Sequence, residues 1–242
     1  MSSRKIFVFI SFLLSLQTAV ANHFSDSIKV YNAGINGNNT ADLLTRITKD
    51  VFQRSPGVVI LMIGTNDMLN KRNMLSLKEY ENNYRQLILQ LKQKATVILM
   101  TIPPVNSPYI IKRKPELNFK ANGPQKRVDS ANTLIKKIAT ENKCVLLDLH
   151  QVLMACGGSD EQMNSLFQNE ANSGIPDGVH PTANGYRVIA TAVYGTISGL
   201  QMPLKEVLCF GDSITFGYNV KGAGTSEGES YPALLQKMLN HD

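Results

Sequence analysis

A serine that could act as a nucleophile follows a short apolar run near the C-terminal end of the sequence. Residues 207–210 are all apolar, which is typical of a buried strand, and Gly211 lets the backbone turn sharply after them. Ser213 would then lie at the carboxyl end of this strand, where open α/β sheets bind their ligands. A serine at such a junction can expose its hydroxyl for attack on a carbonyl. The alternative interpretation of Gly211-Asp212-Ser213 is an ordinary polar turn.

A carboxylate and an imidazole three residues apart, Asp177 and His180, are candidates to assist this serine. They follow a polar loop that contains glycine, and they precede a predicted helix that runs to about residue 197. Thr182 and Asn184 are the two candidate N-cap residues of that helix.

A second carboxylate and imidazole, Asp148 and His150, lie at the end of a strand predicted over residues 144–149. Residues two apart in an extended segment point to the same side, so both side chains could pack there with structural hydrogen bonds. We therefore favour Asp177 and His180 as the catalytic pair.

Hydrogen-bond donors for an oxyanion are available at two other turns. Asn66 follows an apolar run, and its side-chain amide can donate to developing negative charge while it stays neutral over the working pH range. Gly37 lies in a turn, where its N–H could approach a substrate without a side chain in the way, although a simple Asn-Gly turn is equally consistent with the sequence. Asp67, beside Asn66, is interpreted as a structural residue that binds loop backbone.

Together these stretches resemble the four sequence blocks of the SGNH (GDSL) hydrolases, a family of serine esterases, lipases and thioesterases. They are Gly-Asp-Ser at residues 211–213, Asn-Ala-Gly-Ile-Asn-Gly-Asn at residues 32–38, Ile-Gly-Thr-Asn-Asp at residues 63–67 and Asp-Gly-Val-His-Pro at residues 177–181. In the second block, Gly37 rather than Gly34 is the preferred match to the family's glycine. The resemblance spans nearly all of the chain after residue 21, where a predicted signal peptide ends.

The resemblance implies a role for each of these residues. Ser213 would be the nucleophile, His180 its base and Asp177 the residue that orients the base. The oxyanion hole would be formed by the backbone amides of Ser213 and Gly37 and by the side chain of Asn66. No metal and no cofactor is implied, and the four histidines show no metal-ligand spacing.

One departure from the family is large, because the family's nucleophile block comes first in the chain and here it comes last. The order therefore indicates a circular permutation. In that interpretation the segments next to Asn22 and Asp242 are neighbours, which would make it tolerable to open the family's usual chain between them. Residues 198–205 would then link the two segments that form the chain ends in the family's usual order. A domain swap, in which Ser213 serves a neighbouring chain, is the competing explanation.

Strand-like and helix-like segments alternate along the whole chain, which predicts an α/β fold. The resemblance implies a three-layer αβα sandwich with a five-stranded parallel sheet, flavodoxin-like and circularly permuted, in which the nucleophile strand lies between the first two strands. Predicted strands cover residues 27–32, 58–63, 96–102, 144–149 and 207–210, and predicted helices cover residues 40–52, 77–93, 125–141, about 182–197 and 231–240. Tyr80 and Tyr84 have the spacing of core residues.

A long segment, residues 103–124, follows the third strand and carries several basic residues. Because it leaves the carboxyl end of a central strand, we expect it to border the active site. Its charges could bind an acidic polymer, or they could simply be solvated.

The bulk properties fit one exported domain. The 242 residues are 43% hydrophobic and 18% charged, and no basic stripe with interleaved aromatic residues suggests nucleic-acid binding. Residues 1–21 are predicted to be a cleavable signal peptide, since their run of about eleven apolar residues is shorter than the roughly 20 of a membrane span. Residues 22–242 would then form a single secreted or periplasmic domain. Cys209 is predicted to be a buried thiol, which leaves Cys144 and Cys156 as the only plausible disulfide.

The sequence thus predicts an exported serine carboxylic-ester hydrolase that releases short acyl groups, with acetyl preferred, from a carbohydrate ester. The sequence leaves the oligomeric state open, and a monomer is favoured. The acetyl preference rests on the similarity of the motifs to carbohydrate acetylesterases. A lysophospholipase or thioesterase is the alternative, because residues 217–235 are similar to that branch. A non-catalytic carbohydrate-binding protein is the third interpretation.

Overall fold

The computed structural model describes residues 27–117, 119 and 123–240. The signal peptide predicted at residues 1–21 lies outside the described residues, as do Asn22 and Asp242. The strands are β1 Lys29–Gly34, β2 Val58–Met62, β3 Thr96–Met100, β4 Val145–Leu147 and β5 Glu206–Gly211. The helices are α1 Thr40–Ile47, α2 Thr65–Leu69, α3 Leu77–Leu91, α4 Ser107–Arg113, α5 Gly123–Asn142, α6 Leu149–Ala155, α7 Glu170–Ser173, α8 Ala183–Ser198, α9 Ser213–Phe216 and α10 Tyr231–Asn240.

The strands form one parallel sheet in the order β1-β5-β2-β3-β4. The last strand of the sequence therefore lies between the first two, and the predicted position of the nucleophile strand is confirmed. Gly211 at the end of β5 is in register with Gly34 of β1 and with Met62 of β2. The carboxyl ends of these three strands thus meet at one edge of the sheet.

Burial explains why β2 and β5 are the most apolar strands. All five residues of β2 and the last five of β5 are buried, so both faces of these strands are covered. Helix α3 packs on α1 and α5, helix α8 packs on α6 and α10, and each group contacts the sheet. The resulting architecture is the predicted αβα sandwich. Tyr80 and Tyr84 on α3 are fully buried, as their spacing predicted.

Thr182 is the N-cap of α8, and its side chain accepts a hydrogen bond from Gly185 N at 3.2 Å. Of the two candidates, Thr182 and Asn184, the first is therefore correct. The cap fixes the start of the helix immediately after the loop that carries Asp177 and His180.

Several predicted boundaries differ from the observed ones. β1 extends to Gly34 instead of residue 32 because its partner β5 offers hydrogen bonds as far as Gly211. The helix predicted over residues 40–52 is α-helical only to Ile47 and continues as a π-helical turn, Thr48–Phe52, which ends at its C-cap residue Gln53. The segment 103–124 holds α4 and a short 3₁₀ turn, Pro115–Leu117.

The described chain contains all three cysteines as free thiols. The disulfide between Cys144 and Cys156 that the sequence left open is therefore absent here, and Cys209 is buried in β5 as predicted. No helix among the described residues is both long and apolar enough to cross a bilayer.

Candidate active site

Three side chains form a continuous hydrogen-bonded chain at the carboxyl edge of the sheet. Ser213 Oγ lies 3.0 Å from His180 Nε2, and His180 Nδ1 lies 3.0 Å from Asp177 Oδ2 and 3.1 Å from Asp177 Oδ1. Asp177 is buried, whereas Ser213 and His180 are half-buried. The structure thus brings together the three residues that the sequence named as nucleophile, base and orienter.

The turn after β5 fixes the position of Ser213. Asp212 caps the short helix α9 by accepting a hydrogen bond from Ile214 N at 2.9 Å, which leaves Ser213 as the first helical residue. Gly211 is required because a Cβ there would lie 2.4 Å from Met62 O. Burial raises the pKa of Asp212 to about 7, against the opposing effect of its hydrogen bond from Ile214.

The loop that carries Asp177 and His180 is held by its own carboxylate. Asp177 Oδ1 accepts hydrogen bonds from the backbone N–H groups of Val179 at 2.8 Å and His180 at 2.7 Å. Gly178, with φ +68°, makes the tight turn between Asp177 and these two residues. Burial alone would raise the pKa of Asp177, but the hydrogen bonds from the His180 ring and from these two amides lower it to about 2. The carboxylate is therefore ionised at neutral pH.

Arg113 on α4 braces this loop from the other side. Its Nη2 donates to Asp177 O at 2.7 Å, and its Nη1 lies 3.5 Å from Asp177 Oδ2. Sequence reasoning did not assign Arg113 to the site, and the only signal was that it belongs to a basic segment expected to border the cleft.

Gln168 joins the loop that carries His180 to the segment that follows Ser213, and no sequence pattern indicated this role. Its backbone N–H donates to His180 O at 2.9 Å, and its side-chain Nε2 donates to Pro181 O at 3.1 Å and weakly to Tyr218 O at 3.4 Å. Its Oε1 accepts from Asn219 Nδ2 at 3.1 Å. The Tyr218 ring packs against the His180 ring, with the centroids 4.5 Å apart. Rotation of the imidazole is therefore restricted.

Arg46 connects the turn after β1 to the nucleophile strand. Its guanidinium donates to Ala33 O at 3.0 Å, Gly211 O at 2.8 Å and Asn38 Oδ1 at 2.7 Å. It also lies over the ring of Phe210, 4.6 Å from the centroid. These bonds hold two of the predicted sequence blocks side by side.

The two predicted oxyanion donors, Gly37 and Asn66, border the same cleft as Ser213. Gly37 has φ +80°, the left-handed conformation that favours glycine. Asn66 lies in the first turn of α2, and its Nδ2 donates to Asn38 O at 2.9 Å. A carboxamide carries two N–H groups, and the same nitrogen also makes a long contact with Asp212 Oδ2 at 3.5 Å.

Asp67 is a structural residue, as predicted. Its carboxylate accepts hydrogen bonds from the backbone N–H and the hydroxyl of Thr40 at the start of α1. Burial raises its pKa to about 6 even though these hydrogen bonds act in the opposite direction.

Asp148 and His150 do not belong to the cleft. The expectation that both lie in an extended segment is wrong, because the strand ends at Leu147 and Asp148 becomes the N-cap of α6, which contains His150. Asp148 bonds to Thr101 and Lys136, and His150 Nδ1 lies 3.0 Å from Ile102 O. These bonds are structural, as the sequence suggested.

The cleft above Ser213 has a volume of about 240 Å³. Ile110, Arg113 and Lys114 line one side, which confirms that segment 103–124 borders the site. Its remaining lining residues are Asn36, Gly37, Thr65, Asn66, Leu69, Asn70, Val179, His180, Ser213 and Tyr218. Across residues 27–117, 119 and 123–240, no group of three or more His, Cys, Asp or Glu side chains is placed to hold a metal ion.

Comparison with known proteins identifies the family. The sequence model of the GDSL-like lipase/acylhydrolase family matches residues 14–188. An acetylxylan esterase from Geobacillus stearothermophilus is 28% identical over 193 residues, which cover 76% of this chain and 78% of that protein. A crystal structure of an acetylxylan esterase from the same organism has a TM-score of 0.52 and 26% identity, covering 68% of this chain and 69% of that one.

A lipase/acylhydrolase from Enterococcus faecalis shares the fold, with a TM-score of 0.55 at 24% identity over 70% of this chain and 75% of that one. The family match, together with the five-stranded parallel sheet, places the chain in a group of enzymes that cleave carboxylic esters. This protein therefore belongs to the SGNH (GDSL) hydrolase family and is a carboxylic ester hydrolase.

Proposed function

We propose that this enzyme hydrolyses esters through a covalent acyl-enzyme on Ser213, with His180 as general base and Asp177 as its orienter. The observation that carries the proposal is the unbroken chain of hydrogen bonds from Ser213 through His180 to Asp177, which opens on a cleft. This is the arrangement that activates an otherwise weak hydroxyl nucleophile.

In the first half-reaction, His180 Nε2 takes the proton of Ser213 as Oγ attacks the ester carbonyl carbon. The Nδ1 proton stays on the ring and is held by Asp177, whose charge stabilises the imidazolium. The tetrahedral intermediate collapses, the C–O bond to the alcohol breaks, and His180 returns the proton to the leaving oxygen. Water then repeats the sequence on the acyl-enzyme, which releases the acid and restores Ser213.

Negative charge on the carbonyl oxygen would be stabilised by three donors: the backbone N–H groups of Ser213 and Gly37 and the side-chain amide of Asn66. All three residues line the cleft. Donors fixed in this way stabilise the transition state by about 3 kcal/mol each.

The acyl group released is acetyl in this proposal, and the alcohol is a carbohydrate. Two observations support it: the cleft is small, at about 240 Å³, and the curated relative that the chain resembles over most of its length is an acetylxylan esterase. A lysophospholipase or thioesterase would need room for a long acyl chain.

Acyl specificity is tested with p-nitrophenyl esters from acetate to decanoate. We expect kcat/KM to be highest for acetate and to fall as the chain lengthens, because the small cleft leaves little room beyond the carbonyl. Ser213→Ala, assayed in parallel, supplies the background rate of each labile ester. An optimum at octanoate or decanoate would contradict the acetyl assignment and favour the lipolytic alternative.

We also propose that residues 1–21 are a signal peptide and that residues 22–242 form one exported domain. The charged start, the apolar run and the small residues before Asn22 support this assignment.

The chain order is proposed to be a circular permutation of the family's usual order. Two observations support this: the nucleophile strand comes last in the sequence yet lies second in the sheet, and the family match ends at residue 188, before Ser213. The first strand and last helix are also adjacent, since Ile28 N donates to Asn240 Oδ1 and Asn240 Nδ2 donates to Ile28 O, both at 2.9 Å.

Reordering the chain tests the permutation against a domain swap. A short Gly-Ser linker would join the end of α10 to residue 27, and new termini would be opened within residues 198–205. We expect an active monomer, because no strand or helix is cut and the joined ends already lie together. A reordered protein that folds but is inactive, beside an active dimeric wild type, would show that Ser213 acts in a partner chain.

A further inference from the structure

The charged side chains around the cleft are unevenly distributed. Apart from His180, the charged residues that line it are Arg113 and Lys114, both basic, and no aspartate or glutamate is among the described lining residues. Asp177 lies behind His180 and is already engaged by the imidazole and by Arg113. The open side of the cleft therefore presents positive charge to a substrate.

Of the two cations, Arg113 is paired with the Asp177 carboxylate, whereas Lys114 is bonded to no carboxylate among the described residues. Arg113 is committed to Asp177, to its carbonyl at 2.7 Å and its carboxylate at 3.5 Å. Lys114 Nζ makes one recorded hydrogen bond, to Leu69 O at 2.7 Å, although an ammonium group has three donors. Two N–H groups of Lys114 thus remain for a ligand in the cleft.

The positive charge of Lys114 is also only partly compensated by nearby negative charge. Its side chain is half-buried, and this burial, followed by the charge of Arg113, lowers its pKa, while Glu116 and Asp177 act in the opposite direction. Partial desolvation of a cation without a directly bonded carboxylate is unfavourable, so an anion bound beside it would be stabilised more strongly than at an exposed lysine.

We propose that Lys114 forms an anion subsite and that the natural ester carries a negative group on its alcohol part. This rests on the proposed function: an acetyl group has no charge, so an anion recognised by the site must belong to the alcohol. In a carbohydrate that group is the carboxylate of an acetylated uronic acid. The phosphate of a glycerol head group has related chemistry, and the experiment separates the two.

The test compares matched pairs of acetyl esters. The first pair is a mono-O-acetyl methyl glucoside and the corresponding methyl glucosiduronate, which differ only in the C6 carboxylate. The second pair is acetylglycerol and acetylglycerol phosphate. At low ionic strength we expect kcat/KM for the uronate to exceed that for the neutral sugar about tenfold, or about 1.4 kcal/mol. Added salt should reduce this ratio.

Variants identify the residue responsible. Lys114→Gln should bring the uronate-to-neutral ratio close to one, and its amide can still donate to Leu69 O. Lys114→Arg keeps the charge and should retain the preference. Lys112→Gln is the matched control, because it removes an exposed positive charge two residues away, in α4, without touching the cleft. Its ratio should match that of the wild type.

Equal kcat/KM for the neutral sugar and the uronate in the wild type, or an unchanged ratio in Lys114→Gln, would overturn the anion subsite. A preference confined to the phosphate pair would overturn the uronate assignment. Failure of the proposed function gives a different result, since p-nitrophenyl acetate and both neutral esters would then remain unhydrolysed by the wild type.

Discussion

Ser213→Ala is expected to lower kcat for p-nitrophenyl acetate by about 10⁶-fold, and His180→Ala by a similar factor. In the proposed mechanism the serine supplies the atom that bonds to the acyl group, and the histidine is the only base within hydrogen-bonding distance of it among the described residues. Because the two residues act as one unit, the double variant should be no slower than either single variant.

The matched control is His150→Ala. His150 is half-buried near a strand end, as His180 is, but it bonds to Ile102 O and Asn132 outside the cleft. This variant should retain most of the activity. An inactive His150→Ala protein beside an active His180→Ala protein would reverse the assignment of the base.

A fluorophosphonate probe provides a second readout that does not depend on the choice of ester. The wild type should be labelled at Ser213, and the Ser213→Ala and His180→Ala variants should not be labelled. Absence of labelling in the folded wild type would support the non-catalytic carbohydrate-binding protein instead.

The sequence predicted the strands because buried parallel strands are continuous apolar runs. β2 and β5 are covered on both faces, and this burial requires the four to six consecutive apolar residues that made both strands recognisable. The edge strand β4 has two of its three residues at least partly exposed and was predicted too long. Its last predicted residues belong to α6, where Asp148 accepts the capping hydrogen bond.

The residues that bring the catalytic groups together by backbone geometry were also recognisable. Glycines and short polar turns at strand ends are visible in a sequence, and so is an Asp-x-x-His pattern. By contrast, Gln168 and Arg113 act through contacts with residues far away in the chain, and neither has a local pattern. A glutamine in a loop has no local sequence pattern that shows whether it is solvated or hydrogen-bonds two loops to each other.

Asp177→Asn is expected to lower kcat by about 10⁴-fold, a smaller loss than in Ser213→Ala because the base is still present. The amide oxygen must take the place of Oδ1, which accepts from Val179 N and His180 N, since an NH₂ group there would face two donors. The amide nitrogen then replaces Oδ2 and faces His180 Nδ1, 3.0 Å away. An NH₂ group donates to Nδ1, which moves the ring proton to Nε2. His180 then cannot accept the proton of Ser213.

The same structure predicts how this loss depends on pH. Because the pKa of Asp177 is lowered to about 2, its carboxylate is ionised in the wild type throughout the range above about pH 4. The wild type should therefore keep the contribution of Asp177 down to that pH, and the deficit of the variant should persist across pH 5 to 8.

Asp148→Asn is the matched control, since it neutralises a helix-capping carboxylate outside the cleft and should leave kcat nearly unchanged. Both variants are assayed with p-nitrophenyl acetate, and circular dichroism checks that each is folded. Asp177→Asn should stay folded because the amide oxygen preserves the two backbone hydrogen bonds of the loop. A folded Asp177→Asn protein with wild-type kcat would show that the carboxylate does not set the tautomer of His180, and the triad would reduce to a Ser213–His180 dyad.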